Sequence, residues 1–275
     1  MSGLLIPSPE LVAEVGSLCT VCESVKEDQL PDFRKLLKPE NDPRNWGLKA
    51  EFQNRNDCQA NAGTTAVEII EYRTKGIKAE LSRMFWYQQC EVIDGTLGRD
   101  QGTTIASGAK LARTIGCPLE SEYPYHRYTA NRNQLNAWSQ PVMKSAATRK
   151  IRDIAPMPDW PTMLAHTALG HPIHWGTHWS LRFEREPETG KRIARRYQPH
   201  GNGGHAHVIC WPLQLPSGEW VAIDWNSHGD EFFMITEEFY EEARNPRMNP
   251  FGGYVFLGED KPIEKFYSGQ FDVMG

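Results

Sequence analysis

A change of text near the middle of the chain constrains its fold more than any other feature. Between about residues 57 and 116 apolar residues recur at helical spacing, whereas between about 172 and 235 they come in short runs broken by Gly, Pro and Asn. Asp57 is placed to cap a helix over 58–75, with Ala62, Ala66, Ile69 and Ile70 on one face and Gly76 at its end. Ser82 caps a second helix, carrying Phe85, Trp86 and Tyr87 and ending at Gly95. Thr103 or Thr104 caps a third, with Ile105, Ala109, Ala112 and Ile115, ending at Gly116. From Tyr123 to about Lys150 the text is polar and irregular. A short helix follows Asp159 and ends at Gly170, and strand-like runs then dominate at 172–178, 192–197, 206–213, 220–225 and 232–235. Helices first and strands second imply an α+β fold: a helical lobe, then an antiparallel sheet lobe, with a cleft between them.

A length of 275 residues suits one large domain or two half-domains sharing a core. Residues 1–40 read as an N-terminal arm. It holds one helix from Glu10 to about Val25, with Leu11, Val12, Val15 and Leu18 along a face, followed by a Pro- and Asn-rich connector. Residues 41–275 form the main body, with the helical lobe at about 50–135 and the sheet lobe at about 150–275. The net charge is -5 with both signs mixed, which excludes a basic nucleic-acid footprint. Lys191-Arg192 and Arg195-Arg196 follow Glu184, Glu186 and Glu188, the pattern of a solvated hairpin. No apolar run is long enough to span a membrane, and the segment before Pro9 lacks the basic start of a signal peptide. The expected location is therefore the cytoplasm or a virion.

The six cysteines are irregularly spaced apart from Cys19-x-x-Cys22, so they are no disulfide scaffold, and that pair has neither a second pair nor a nearby His to make a zinc site. His166, His171, His174 and His178 lie close in sequence without carboxylates or the His-Glu-x-x-His pattern, and are expected to be ordinary sheet histidines. No phosphate-cradling glycine loop is present. No metal and no cofactor are expected.

Two positions carry reactive chemistry by placement. Cys58 falls on the first turn of a helix, where the helix dipole favours a thiolate, the form of cysteine that attacks carbon. His205 follows Gly201-Asn-Gly-Gly204 and opens an apolar strand; the turn at Leu215-Pro-Ser-Gly218 leads back along residues 220–225. If that turn centres between Leu215 and Pro216, His205 lies about opposite Asn226, whose amide oxygen then holds the imidazole in one tautomer. Asp224, two residues deeper, is an alternative orienting group.

These stretches resemble the papain-like (C1 family) cysteine peptidases, most nearly the bacterial and phage-type members. Cys58-Gln-Ala-Asn-Ala62 with Glu68 resembles the family's active-site helix, and Leu81-Ser82 the start of its second helix. Asp100-Gln-Gly-Thr-Thr104 resembles its loop beside the substrate groove, and Glu122-Tyr-Pro-Tyr125 its Glu-x-x-Tyr-Pro-Tyr landmark. Gly203-Gly-His-Ala206 and Asn226-Ser-His-Gly229 resemble its catalytic histidine and asparagine segments. The resemblance spans about residues 42–257. It implies that Cys58 is the nucleophile, His205 the base and Asn226 the orienting amide. It also implies that Gln53, with the Cys58 N–H, is an oxyanion donor, and that the substrate is a protein or peptide.

The sequence also departs from the family. Gln53 stands five residues before Cys58 instead of six, in a loop without the usual glycines; Gln59 is the less favoured substitute. A shifted alignment would put Asn61 in the nucleophile's place, but Cys-x-Ala-Asn-Ala fits without a gap. His228 stands where the family has a tryptophan that shields the His–Asn bond. The leading expectation is peptide-bond hydrolysis through a thiolate–imidazolium pair and an acyl-enzyme. The alternatives are a structural or binding protein on the same fold, such as a virion or assembly component docked through the arm, and a thiol amidase acting on cell-wall peptides.

Overall fold

The computed structural model describes residues 3–19, 32–48, 53–128, 139–227 and 232–258. The helical lobe contains α1 (Pro9–Leu18), α2 (Cys58–Lys75), α3 (Arg83–Ile93) and α4 (Ile105–Thr114). Their ends follow local rules. Gly76 closes α2 with φ 67, a left-handed turn that glycine takes without strain. Ser82 Oγ accepts the Phe85 N–H at 3.0 Å to start α3, and Thr104 Oγ1 accepts the Ser107 N–H at 3.0 Å to start α4. The helix α2 is buried along most of its length, because small residues at Ala60, Ala62, Gly63 and Ala66 let neighbours approach closely.

Gly63 illustrates that closeness. A Cβ there would lie 2.4 Å from Cζ2 of Trp86, a ring with no exposed surface of its own. Gly63→Val therefore overpacks a rigid contact and is expected to cost about 1–3 kcal/mol. A thermal melt checks it: the midpoint falls by about 2–4 °C for each kcal/mol in a chain of this size. An unchanged midpoint would mean that Trp86 has room to move.

The sheet has ten strands among the described residues, eight of them from the second half. They are β1 (Leu4–Leu5), β2 (Thr103–Thr104), β3 (Asp153–Pro156), β4 (Ile173–His178), β5 (Glu184–Arg185), β6 (Arg192–Ala194), β7 (Gly204–Gln214), β8 (Trp220–Trp225), β9 (Phe232–Ile235) and β10 (Gly253–Leu257). The order is β3-β10-β4-β7-β8-β9-β6-β5, antiparallel except between β6 and β9. β1 joins at one end, parallel to β2 and antiparallel to β7. The α+β architecture expected from the text is the one observed.

Alternation along β7 ties the lobes together. Ala206, Val208 and Cys210 face the interlobe core formed with α2, α3 and α4. Ile209 faces a second core with Trp175, Ala222, Phe233 and Ile235. α5 (Gln140–Ala147) packs Val142 and Ala146 into the first core, while α6 (Trp160–Ala168) and α7 (Glu237–Arg244) cover the second with Trp160, Met163, Phe239 and Tyr240.

Several elements differ from the sequence expectation. α5 lies where irregular text was expected, starting with Pro141 in its first turn. α7 went unread because its apolar stripe is only Phe239, Tyr240 and Ala243 among charged neighbours. β3 and β10 were also unread, and β6 stops at Ala194. α1 ends at Leu18, and the rest of the expected helix, with Cys22, lies outside the described residues. Nor is the arm free of the body over residues 3–19: Val15 is fully buried and Lys110 pairs with Glu14 at 2.5 Å. Cys58, Cys90, Cys117 and Cys210 are free thiols. Among the described residues no helix is long and apolar enough to cross a membrane.

Candidate active site

Cys58 is the first residue of α2, and three backbone N–H groups face its sulfur: those of Gln59 from the same helix turn, Ala206 from β7 and Gly3 from the N-terminal segment. The thiol has no exposed surface. The helix N-terminus was expected to favour the thiolate. Here the opposite holds: burial pushes the Cys58 thiol up to about 12, the nearby Asp57 carboxyl adds to the rise, and the three amides offset only part of it.

Asp57 departs from its expected role. It stands at the N-cap position, but its side chain makes no capping bond. The carboxyl accepts instead from the Tyr125 hydroxyl at 2.6 Å, so the Tyr-Pro-Tyr landmark reaches the residue beside the nucleophile. Burial raises the Asp57 pKa, with the Tyr125 hydrogen bond and the Arg83 charge opposing. Because an Asp57 anion disfavours a neighbouring thiolate, Asp57→Asn is expected to lower the Cys58 pKa. Thiolate absorbance near 240 nm against pH reads this directly, and an unmoved midpoint would remove Asp57 from the electrostatics of the thiol.

His205 is the second residue of β7 and lies directly opposite Thr177 of β4. Its neighbour Ala206 is the residue whose N–H meets the Cys58 sulfur, so the strand that carries His205 reaches the start of α2. The imidazole is 3% exposed, and the Trp179 ring meets it edge-on at 4.4 Å. Trp179 is held by its N–H bond to the Gly203 carbonyl at 2.7 Å. Sequence reasoning missed this residue. His228, where the family's shielding tryptophan is expected, lies outside the described residues, whereas this indole comes from the chain just past β4.

The expected hairpin register needs correction. The turn is wider, with the Leu215 N–H bonded to the Glu219 carbonyl, and pairs Gln214 with Trp220. A bulge between Ile209 and Trp211 then shifts the pairing, so that Val208 meets Trp225. Continued one step, Asn226 lies level with His207 rather than His205. Asn226 is buried beside a small cavity lined by Asn61, Ala62, Ala206, Val208 and Ser227. Asp224 meets His207 at 3.3 Å instead of orienting His205.

Gln53 reaches the same corner. Its Oε1 accepts from Ser227 Oγ at 3.1 Å, and its Nε2 donates to the Arg55 carbonyl at 2.7 Å. One N–H of the side-chain amide is thus engaged away from the sulfur. Gln59 points into the interlobe core, accepting from Thr103 Oγ1 at 3.0 Å. Asn61 sits almost a turn along α2 and donates to the Asp57 carbonyl at 3.0 Å. The four histidines of the 166–178 stretch are spread out: the His166 and His171 rings lie tilted to each other with centroids 5.9 Å apart, His174 packs on Phe256, and His178 Nδ1 meets the Tyr197 hydroxyl at 2.5 Å. Trp175 lies in the second core.

The cleft is filled by the chain's own N-terminal segment. Leu4 pairs with Thr103 on one side and Gly204 on the other, and the Thr103 N–H donates to the Gly3 carbonyl at 3.1 Å. Glycines make this approach feasible. A Cβ on Gly102, whose φ is +94, would lie 1.9 Å from the Gly3 carbonyl oxygen. The Leu4 side chain, 5% exposed, fits against Gly176, Gly204, Ile105 and Phe251.

No protein-family model matches the chain, and no curated protein matches it. Solved structures do. Xylellain, a cysteine protease from Xylella fastidiosa, superposes with a TM-score of 0.63 over 94% of this chain and 97% of its own, at 20% identity. Procathepsin B S9 from Trypanosoma congolense gives 0.59 over 94% and 87% at 11% identity. Bromelain from Ananas comosus, solved with the inhibitor E64, gives 0.54 over 84% and 99% at 17% identity. With near-complete coverage of these cysteine proteases, a helical lobe against a sheet lobe and Cys58 opening the helix between them, the chain has the papain-like fold.

Proposed function

We propose that the chain is a cysteine peptidase held closed by its own residues 3–5. The observation that carries this reading is the meeting of the Cys58 thiol, at the start of α2, with the strand of His205 at the floor of a cleft. The cleft presents two backbone edges, at Thr103 and Gly204, that accept an extended chain. A peptide held between them by strand addition, with a leucine-sized side chain where Leu4 sits, is the matching substrate class.

In the open form Cys58 Sγ attacks the scissile carbonyl carbon and His205 takes the thiol proton. The Cys58 N–H and Gln53 Nε2 stabilise the oxyanion. His205 then protonates the leaving amine, and water, deprotonated by His205, releases the acyl group and restores the thiol. Trp179, edge-on to the ring, keeps the imidazole in place, with Asn226 approaching it diagonally across the hairpin.

Hydrolysis of casein or an unstructured peptide library by the chain lacking residues 1–8, compared with the same chain carrying Cys58→Ala, tests this reading. Cleavage lost with Cys58→Ala and a retained fold are expected. Cleavage that survives the substitution would refute it. A second reading, a binding protein on the peptidase fold, is favoured by the filled cleft and the raised thiol, and predicts no hydrolysis after opening. Cross-linked cell-wall peptides offered in the same assay separate a peptidase from an amidase.

A further inference from the structure

Behind His205 lies a second imidazole that the proposed mechanism does not use. His205 and His207 alternate on one face of β7 with ring centroids 5.1 Å apart. His207 is 1% exposed and Asp224 fully buried. His207 Nδ1 stands 3.3 Å from Asp224 Oδ2, the oxygen that also accepts the Trp175 indole N–H at 3.1 Å. On the other side, His207 Nε2 meets Thr177 Oγ1 at 2.8 Å. The Thr177 hydroxyl itself donates to the His178 carbonyl at 3.1 Å, so His207 Nε2 is the donor to Thr177. Nδ1 thus faces the buried Asp224 carboxyl.

The geometry of this pair is polar. Its carboxylate end contacts the second core at Trp175, while its imidazole end points at Thr177, which is directly opposite His205. We propose that the Asp224–His207 pair positions His205, by fixing both the ring that packs beside it and the Thr177 opposite it. This rests on the reading of His205 as the base. A line of packed, hydrogen-bonded side chains fixes the level of β4 on which the imidazole rests.

Titratable groups among the described residues approach this arrangement from three further elements. Asp224 faces it from β8, and His205 lies beside it on β7. His178 lies along β4, bound to the Tyr197 hydroxyl beyond β6. Cys58 approaches from α2. The rings of Trp175 and Phe233 close the remaining sides of His207 without charge.

The test is nitrogen-detected NMR of the histidine rings in the full chain, titrated from acid to alkaline pH. In Asp224→Asn, and separately in His207→Gln, the His205 tautomer populations are expected to change and its midpoint to shift by at least half a pH unit, while Thr177→Ser leaves both in place. A His205 midpoint that does not move in folded Asp224→Asn overturns the proposal and leaves His207 a satisfied core residue. Asn fills the Asp site and still meets the Trp175 N–H, so it decides the matter if His207→Gln fails to fold. Because the readout needs no turnover, failure of this proposal is distinct from failure of the peptidase reading, which rests on the Cys58→Ala comparison.

Discussion

Deleting residues 1–8 raises the alkylation rate of Cys58 at pH 7 by about a thousandfold. The size follows from the thiolate fraction. A thiol pushed up to about 12 is ionised to only about one part in 10⁵ at pH 7, whereas one near 8.5 is ionised to a few per cent. Burial is the first cause of the rise, and the Gly3 backbone forms part of the lid over the sulfur. The sign of the pH dependence follows. The closed form holds the thiol protonated, so closure is undiminished below the ordinary thiol range. It is lost progressively as pH rises toward about 12, because only the open form readily carries the thiolate. Alkylation of the intact chain should therefore climb steeply above about pH 8.5. Leu4→Asp opens the cleft by a different route, since a carboxylate against Ile105 and Phe251 is strongly disfavoured. Iodoacetamide labelling read by mass spectrometry measures both variants. Equal rates in the intact and shortened chains would mean that residues 3–5 do not guard the thiol.

What the sequence made legible was local. The N-terminus of α2 at Cys58, the Ser82 and Thr104 caps and the Gly76 stop depend on residues a few positions apart, and the structure has them. The sheet lobe was legible in kind, because short apolar runs between turn residues leave few alternatives. What escaped depends on distant partners. The hairpin register failed because a wider turn and a bulge each add to the offset, and neither has a strong signal in Leu215-Pro-Ser-Gly218 or around Cys210. Asp57 reads as a cap until Tyr125, far along the chain, takes its carboxyl. A two-residue strand such as Leu4–Leu5 has no periodicity at all; only Gly3, Gly102 and Gly204 hint that backbones come close there. Trp179 had a signal, an exposed aromatic just past a strand that pairs with the His205 strand, but its target could be named only once the β4–β7 pairing was known.

In the opened chain, His205→Ala is expected to lower kcat/KM by about 10²–10⁴-fold at pH 6–7, the usual contribution of a positioned acid–base group. Two losses combine. The thiol loses its proton acceptor, and the leaving amine loses its donor. The first can be replaced by hydroxide and the second cannot, so the residual rate should rise about tenfold per pH unit up to the ordinary thiol range near 8.5 and then level off well below the parent. Added imidazole should restore part of the rate, because the space left beside Trp179 and opposite Thr177 has the shape of the ring removed. Asn226→Ala, which leaves the imidazole in place but less constrained, should cost less and keep the shape of the parent's pH profile. Steady-state kinetics on the peptide found by the library assay measure all three. If His205→Ala retains the parent's rate at pH 6, another group does the proton transfer, and His178, at the end of β4 beside the His205 pairing with its Nδ1 on Tyr197, becomes the residue to replace next.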